Sequence, residues 1–139
     1  MIKNKFRAKI KENNEWVLGV PIQKINDFYI VEDLFFCDEY DCIGSCSYKV
    51  FENTIGQNST VKDKNGVEMY EGDIVYGAVH WLERHKPAVV TFRNGSFGLL
   101  WYRGDIEEFN PFTSLCNVEY EVVGNIYDEY DDEKNFIRL

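Results

Sequence analysis

A chain of 139 residues that is 45% hydrophobic and 16% aromatic can build one sizeable core without disulfide or metal staples, and it is too apolar for an intrinsically disordered chain. Its 15 basic and 24 acidic residues give a net charge of −9, which argues against broad nucleic-acid binding by phosphate neutralisation. No apolar run is long enough to cross a bilayer as a helix, and MIKNKFRAKI lacks the continuous apolar core of a signal peptide, so a cytoplasmic protein with no membrane partner is expected.

From Ile2 to Lys11 the sequence alternates strictly, with Phe6, Ala8 and Ile10 on one side and Lys5, Arg7, Lys9 and Lys11 on the other. Period two predicts a strand with one buried and one wet face. Glu12–Glu15 has turn composition, and Trp16–Val20 is expected to return as the second arm of a hairpin that Pro21 ends. Phe28–Phe36 is a dense β-branched and aromatic run, read as one strand or two meeting at Glu32-Asp33. Cys37–Ser47 reads as a loop, Tyr48–Phe51 as a short strand, and Thr54–Thr60 as a polar connection.

The stretch Lys62–Val75, KDKNGVEMYEGDIV, carries the densest backbone signals. Asn65-Gly66 predicts a type I′ hairpin turn, because both residues tolerate positive φ. Glu71-Gly72-Asp73 then breaks the second arm and starts a new strand at Ile74. His80–Pro87 reads as a loop bearing His80, Trp81 and His85. A second Asn-Gly pair, Asn94-Gly95, predicts another type I′ hairpin between Ala88–Arg93 and Ser96–Tyr102, with Phe97, Leu99 and Trp101 sharing a core face. Gly104–Asn117 breaks the β pattern, with one helical turn expected after Asn110-Pro111. Val118–Val123 alternates again, Gly124-Asn125 reads as a turn, and Asp128–Glu133 is an acidic tail.

Chemistry-bearing motifs are sparse. No glycine-rich phosphate loop, nucleophile elbow or metalloprotease helix is present, so the chain is not expected to be an enzyme. Cys37, Cys42, Cys46 and Cys116 fit no standard zinc spacing and read as free thiols packed as small hydrophobes, and neither a metal nor a cofactor is expected. Glu71 and Asp73, two apart, can bind a cation or share a proton, but such a pair more often caps a turn.

The residues Asp63, Lys64, Asn65, Gly66 and Tyr70–Val75 resemble the YopX-like family pattern D-K-N-G followed by Y-E-G-D-I-V. Phe6-Arg7-Ala8 is similar to the family's opening and Val123–Tyr127 to its closing V-I-G-N-I-Y. Thr60 stands at a usual glycine, which argues against a positive φ there, and Met69 replaces a usual Ile, a tolerable core exchange. The resemblance implies a phage or prophage protein of uncharacterised function that self-assembles, with a body like an SH3-like barrel.

The expected architecture is therefore mainly β. An N-terminal β-rich layer (1–58) precedes an SH3-like barrel region (59–127) and an acidic tail (128–139), all expected to fold as a single unit, with at most one or two short helices. The expected function is a non-enzymatic accessory module that binds another copy of itself or a host or phage protein. Its binding residues are expected among His80, Trp81, His85, Glu71 and Asp73. Two nucleic-acid roles form the alternative: binding through the basic N-terminal strand, or DNA mimicry by the acidic stretch 104–133. A metalloenzyme using Glu71, Asp73 or the histidines is a weaker third.

Overall fold

The computed structural model describes residues 6–37, 42–79, 84–103, 105–114 and 119–128. The protein is mainly β, as expected: the described residues form eleven antiparallel strands in two sheets and two single 3-10 turns, Glu52–Thr54 and Phe112–Ser114. It divides into two compact units, Met1–Asn58 and Ser59–Leu139.

In the first unit the strands are β1 (Phe6–Lys9), β2 (Trp16–Lys24), β3 (Asp27–Cys37) and β4 (Cys42–Val50), ordered β4-β3-β2-β1, with the opening of β5 (Gly56–Lys62) beside β1. The predicted first hairpin forms, with Phe6 opposite Gly19 and Lys9 opposite Trp16. The sheet curls until β1 meets β4. Ile10 bridges Val50, the Phe51 N–H donates to the Lys9 carbonyl at 2.9 Å, and the Lys11 N–H donates to the Lys49 carbonyl at 2.9 Å. Inside the curl Ala8, Ile10, Val17, Ile30 and Val50 form a core, backed by Phe6, Phe28 and Ile55. The alternation of Phe6, Ala8 and Ile10 is thus a core face, as expected.

Three expectations fail in this unit. Pro21 does not end β2, which runs on to Lys24 with Pro21 opposite Ile30. Cys42–Ser47 is strand, not loop, because it lies along β3 with Cys37 opposite Cys42, past a register shift between Val31 and Asp33. Gly56–Thr60 likewise belongs to β5, with only Glu52–Thr54 remaining as a turn.

The second unit holds β7 (Asp73–Val79), β8 (Arg84–Arg93), β9 (Ser96–Arg103), β10 (Ile106–Pro111) and β11 (Glu119–Asn125) in one open sheet ordered β10-β9-β8-β7-β11. It also holds the hairpin from the end of β5 to β6 (Glu68–Tyr70). Among the described residues the sheet stays open, so the SH3-like barrel is not closed, which is consistent with the mainly β class expected. Met69, Val75, Ala88, Val90, Leu99 and Tyr120 form its core, against which Trp101 packs. Met69 fills a fully buried site, consistent with a tolerated Ile-to-Met exchange.

Corrections in this unit share one cause: strand pairing overrides local composition. Arg84–Pro87 is strand, with His85 opposite Ala78 and Pro87 opposite Tyr76, so the expected His80–Pro87 loop does not hold from Arg84 on; residues 80–83 lie outside the described residues. Ile106–Pro111 pairs with β9, leaving Phe112–Ser114 as the helical turn. Gly124-Asn125 closes β11 across a bulge; the Asn125 Oδ1 then accepts the Tyr127 and Asp128 N–H groups at 3.0 and 2.8 Å. Thr60 adopts φ +66 despite its side chain, against the sequence expectation.

Candidate functional site

The Lys62–Val75 stretch is where the chain ties the second unit together. Gly66 has φ +80, but Asn65 is not in the left-handed region, so the predicted type I′ turn is absent. Instead the Gly66 N–H donates to the Asp63 carbonyl at 3.0 Å, and the Asp63 N–H donates to the Val67 carbonyl at 2.8 Å. That is a turn over Lys64-Asn65 followed by a left-handed glycine, the three-residue hairpin loop.

Asp63 causes the difference. Its carboxylate is buried and accepts the N–H groups of Asn65 at 2.8 Å and Val67 at 2.9 Å on Oδ1, and of Val122 at 3.0 Å on Oδ2. The Lys64 N–H adds a bond to the Tyr120 carbonyl at 2.9 Å. The residues after β5 therefore clamp β11. Burial alone would raise the Asp63 pKa, but the three backbone donors, helped by the Lys64 charge, outweigh it and hold the carboxyl below its ordinary value.

Asp73 does similar work. It is buried, and its Oδ2 accepts the Tyr70 N–H at 2.8 Å, so it caps the turn into β7. Between them Gly72, at φ +89, donates its N–H to the Val90 carbonyl at 2.9 Å and accepts the Ile126 N–H at 2.9 Å. A Cβ there would lie 2.8 Å from the Tyr127 ring.

Of the predicted binding residues, the structure describes the side chains of Glu71 and Asp73 only. Asp73 is consumed as a cap, and Glu71 is half-buried in the same turn. His85 lies on β8, with its side chain outside the described residues, and His80 and Trp81 fall outside them altogether. Among the described residues no group of three His, Cys, Asp or Glu is placed to hold a metal ion. Cys46 is an exposed free thiol, not a packed one.

The surface that stands out lies in the first unit. Leu18, Val20 and Ile22 project from one side of β2 and are exposed by 41%, 56% and 49%, where a wet strand face should be polar. Their cross-strand neighbours are apolar too: Val31 faces Val20 and Tyr29 faces Ile22. A readable signal existed. Trp16-Val17-Leu18-Gly19-Val20-Pro21-Ile22 is apolar or small throughout, so unlike β1 it leaves neither side of the strand polar.

On the same side of the sheet, Arg7 lies opposite Leu18 and Lys9 opposite Trp16. Of the expected wet basic stripe, Lys3 and Lys5 lie outside the described residues and Lys11 is exposed, but Arg7 and Lys9 are folded onto a ring. The Arg7 guanidinium sits 4.5 Å and the Lys9 ammonium 5.5 Å from the centre of the Trp16 ring, and Lys9 is buried. Beside Trp16 opens a shallow groove of about 420 Å³, lined among others by Asn13, Glu15, Leu18, Glu32 and Tyr48.

The model of the YopX protein family matches residues 5–130. The chain belongs to the YopX family. A solved structure similar to this YopX-family chain is the crystal structure of protein EF1440 from Enterococcus faecalis, 26% identical, with a TM-score of 0.61 over 92% of this chain and 96% of that one. No curated protein matches the chain. Asp63, Gly66, Gly72 and Asp73, which carry the family resemblance, are thus the residues that hold strands and turns in place.

Proposed function

We propose that this chain is a non-enzymatic, protein-binding accessory module of a phage or prophage, acting in the bacterial cytoplasm through the outer side of β2. The observation that carries the reading is the exposed ladder Leu18, Val20 and Ile22 beside Val31 and Tyr29. Exposed apolar side chains scattered singly need no explanation, but a contiguous row on one strand face marks a surface that another macromolecule covers. The occupant is a protein: a second copy of this chain or a separate partner. Lys9 is buried and Arg7 stacks on Trp16, which weighs against the nucleic-acid alternative, since a phosphate-binding stripe needs its cations in solvent.

The test is the double variant Val20→Lys, Ile22→Lys, with sedimentation of the purified protein and recovery of tagged protein from a bacterial lysate run side by side. The variant should lose self-association or the stoichiometric partner while its melting temperature stays within a few degrees of wild type. Identical behaviour of variant and wild type in both assays would contradict the reading.

A further inference from the structure

The chain contains two Asn-Gly pairs, Asn65-Gly66 and Asn94-Gly95, and all four residues are exposed. Such a pair is reactive as well as turn-forming. The glycine amide nitrogen can attack the asparagine Cγ, because no Cβ on the glycine shields it. Each asparagine follows a basic residue, Lys64 or Arg93, so the local sequences are alike. Whether a pair reacts in the folded protein then depends on what holds its atoms.

At the first pair the nucleophile is tied down. The Gly66 N–H donates to the Asp63 carbonyl at 3.0 Å. On either side of it the Asn65 and Val67 N–H groups donate to the Asp63 Oδ1 at 2.8 and 2.9 Å. Attack would require the Gly66 nitrogen to give up its proton and its hydrogen bond beside a carboxylate that repels the developing negative charge.

The second pair has no such restraint. Arg93 pairs with Ser96, which leaves Asn94 and Gly95 as a two-residue loop at φ +54 and +80. Among the described residues neither the Asn94 side chain nor the Gly95 N–H makes a hydrogen bond. A Cβ built on Gly95 meets nothing within 4 Å, so no neighbour crowds the loop.

We infer that Asn94 is a site of spontaneous covalent modification, deamidating through a succinimide, and that the Asp63 turn protects Asn65 from the same reaction. The Gly95 nitrogen bonds to the Asn94 Cγ and loses its proton, and the side-chain amide leaves as ammonia. Water then opens the five-membered ring at either carbonyl, with no oxidant or reductant involved. Opening at Cγ gives aspartate, which tolerates the left-handed backbone and keeps the turn. Opening at the backbone carbonyl gives isoaspartate, which adds a methylene to the main chain of a two-residue loop. That disturbs the Arg93–Ser96 pair and the edge-to-face Phe92–Phe97 contact at 4.8 Å behind it. Either product places a new carboxylate next in sequence to Arg93, whose guanidinium holds Glu107 at 3.0 Å.

The test is incubation of the purified full chain in mildly alkaline heavy-oxygen water, native and in denaturant, with peptide mapping by mass spectrometry over time. In the native protein Asn94 should convert roughly tenfold faster than Asn65, about the worth of one backbone hydrogen bond. Each converted residue should carry one heavy oxygen, and isoaspartate should form alongside aspartate. In denaturant the two asparagines should convert at nearly equal rates, because the Asp63 turn is gone. An Asn94 that stays unconverted in the native protein, native conversion at Asn65 as fast as at Asn94, or a preference for Asn94 that persists unchanged in denaturant would each overturn the assignment.

Discussion

The Lys62–Val75 stretch of the second unit and the outer side of β2 in the first are opposites. The first is rich in recognisable residues, and those residues bond to the unit's own backbone: Asp63 takes three backbone donors, Asp73 takes the Tyr70 N–H, and Gly72 bonds to Val90 and Ile126. The second carries no motif, yet Leu18, Val20 and Ile22 face solvent without an apolar cover. In this protein a sequence signature marks what holds the fold, while the exposed ladder proposed as the binding surface has none.

The largest expected effect comes from Asp63→Ala, which leaves three N–H groups without their acceptor. At roughly 1–3 kcal/mol for each unsatisfied buried donor, a loss of about 4 kcal/mol in denaturant unfolding is predicted, with the remaining folded protein still binding its partner. A loss below about 1 kcal/mol would remove Asp63 from its central place. The same carboxylate has a pH signature. Its folded pKa lies below the unfolded value, so its contribution is present above about pH 4 and is lost as pH falls through the folded value. Wild type should therefore lose more stability than Asp63→Asn in that acidic window, and parallel curves would contradict the assignment.

Next is the Val20→Lys, Ile22→Lys pair, the reverse case. Partner or self-affinity should fall at least tenfold, with about 0.5 kcal/mol or less of stability lost, because both residues are exposed. Smaller still are the two Asn-Gly turns. Asn94, at φ +54, needs left-handed backbone, so Asn94→Ala should cost about 1 kcal/mol; Asn65 does not, so Asn65→Ala should cost less than about 0.5. Equal costs would mean that Asp63 does not set the first turn. The smallest is Thr60→Gly, where relief of φ +66 outweighs the added chain entropy and a gain of about 0.5 kcal/mol is expected on thermal unfolding.

The two turns also show how far the sequence carries. Asn94-Gly95 takes positive φ at both residues, as the dipeptide predicts, whereas the identical pair at Asn65-Gly66 does not. What separates them is an aspartate two residues earlier whose third partner, Val122, lies 59 residues away. Local turn chemistry is legible at short range, but a long-range acceptor is not. For the same reason β4 and the start of β8 read as loops. Gly44, Ser45 and Pro87 have poor strand propensity, and only pairing with β3 and β7 keeps those segments extended. The mainly β class was legible from the alternation of β1 and the hairpin at Asn94. The proposed binding surface was legible only in the failure of β2 to alternate, and His80, Trp81 and His85 drew attention by residue type alone.

The most direct measurement is side-chain footprinting by carbene or hydroxyl-radical labelling of the wild-type protein, dilute and in its assembled or partner-bound fraction. Labelling of Leu18, Val20 and Ile22 should fall several-fold on assembly, while Val67 and Ile106, exposed by 48% and 68% elsewhere in the chain, stay unchanged as internal controls. Unchanged labelling of the β2 ladder in every assembled fraction would contradict the account.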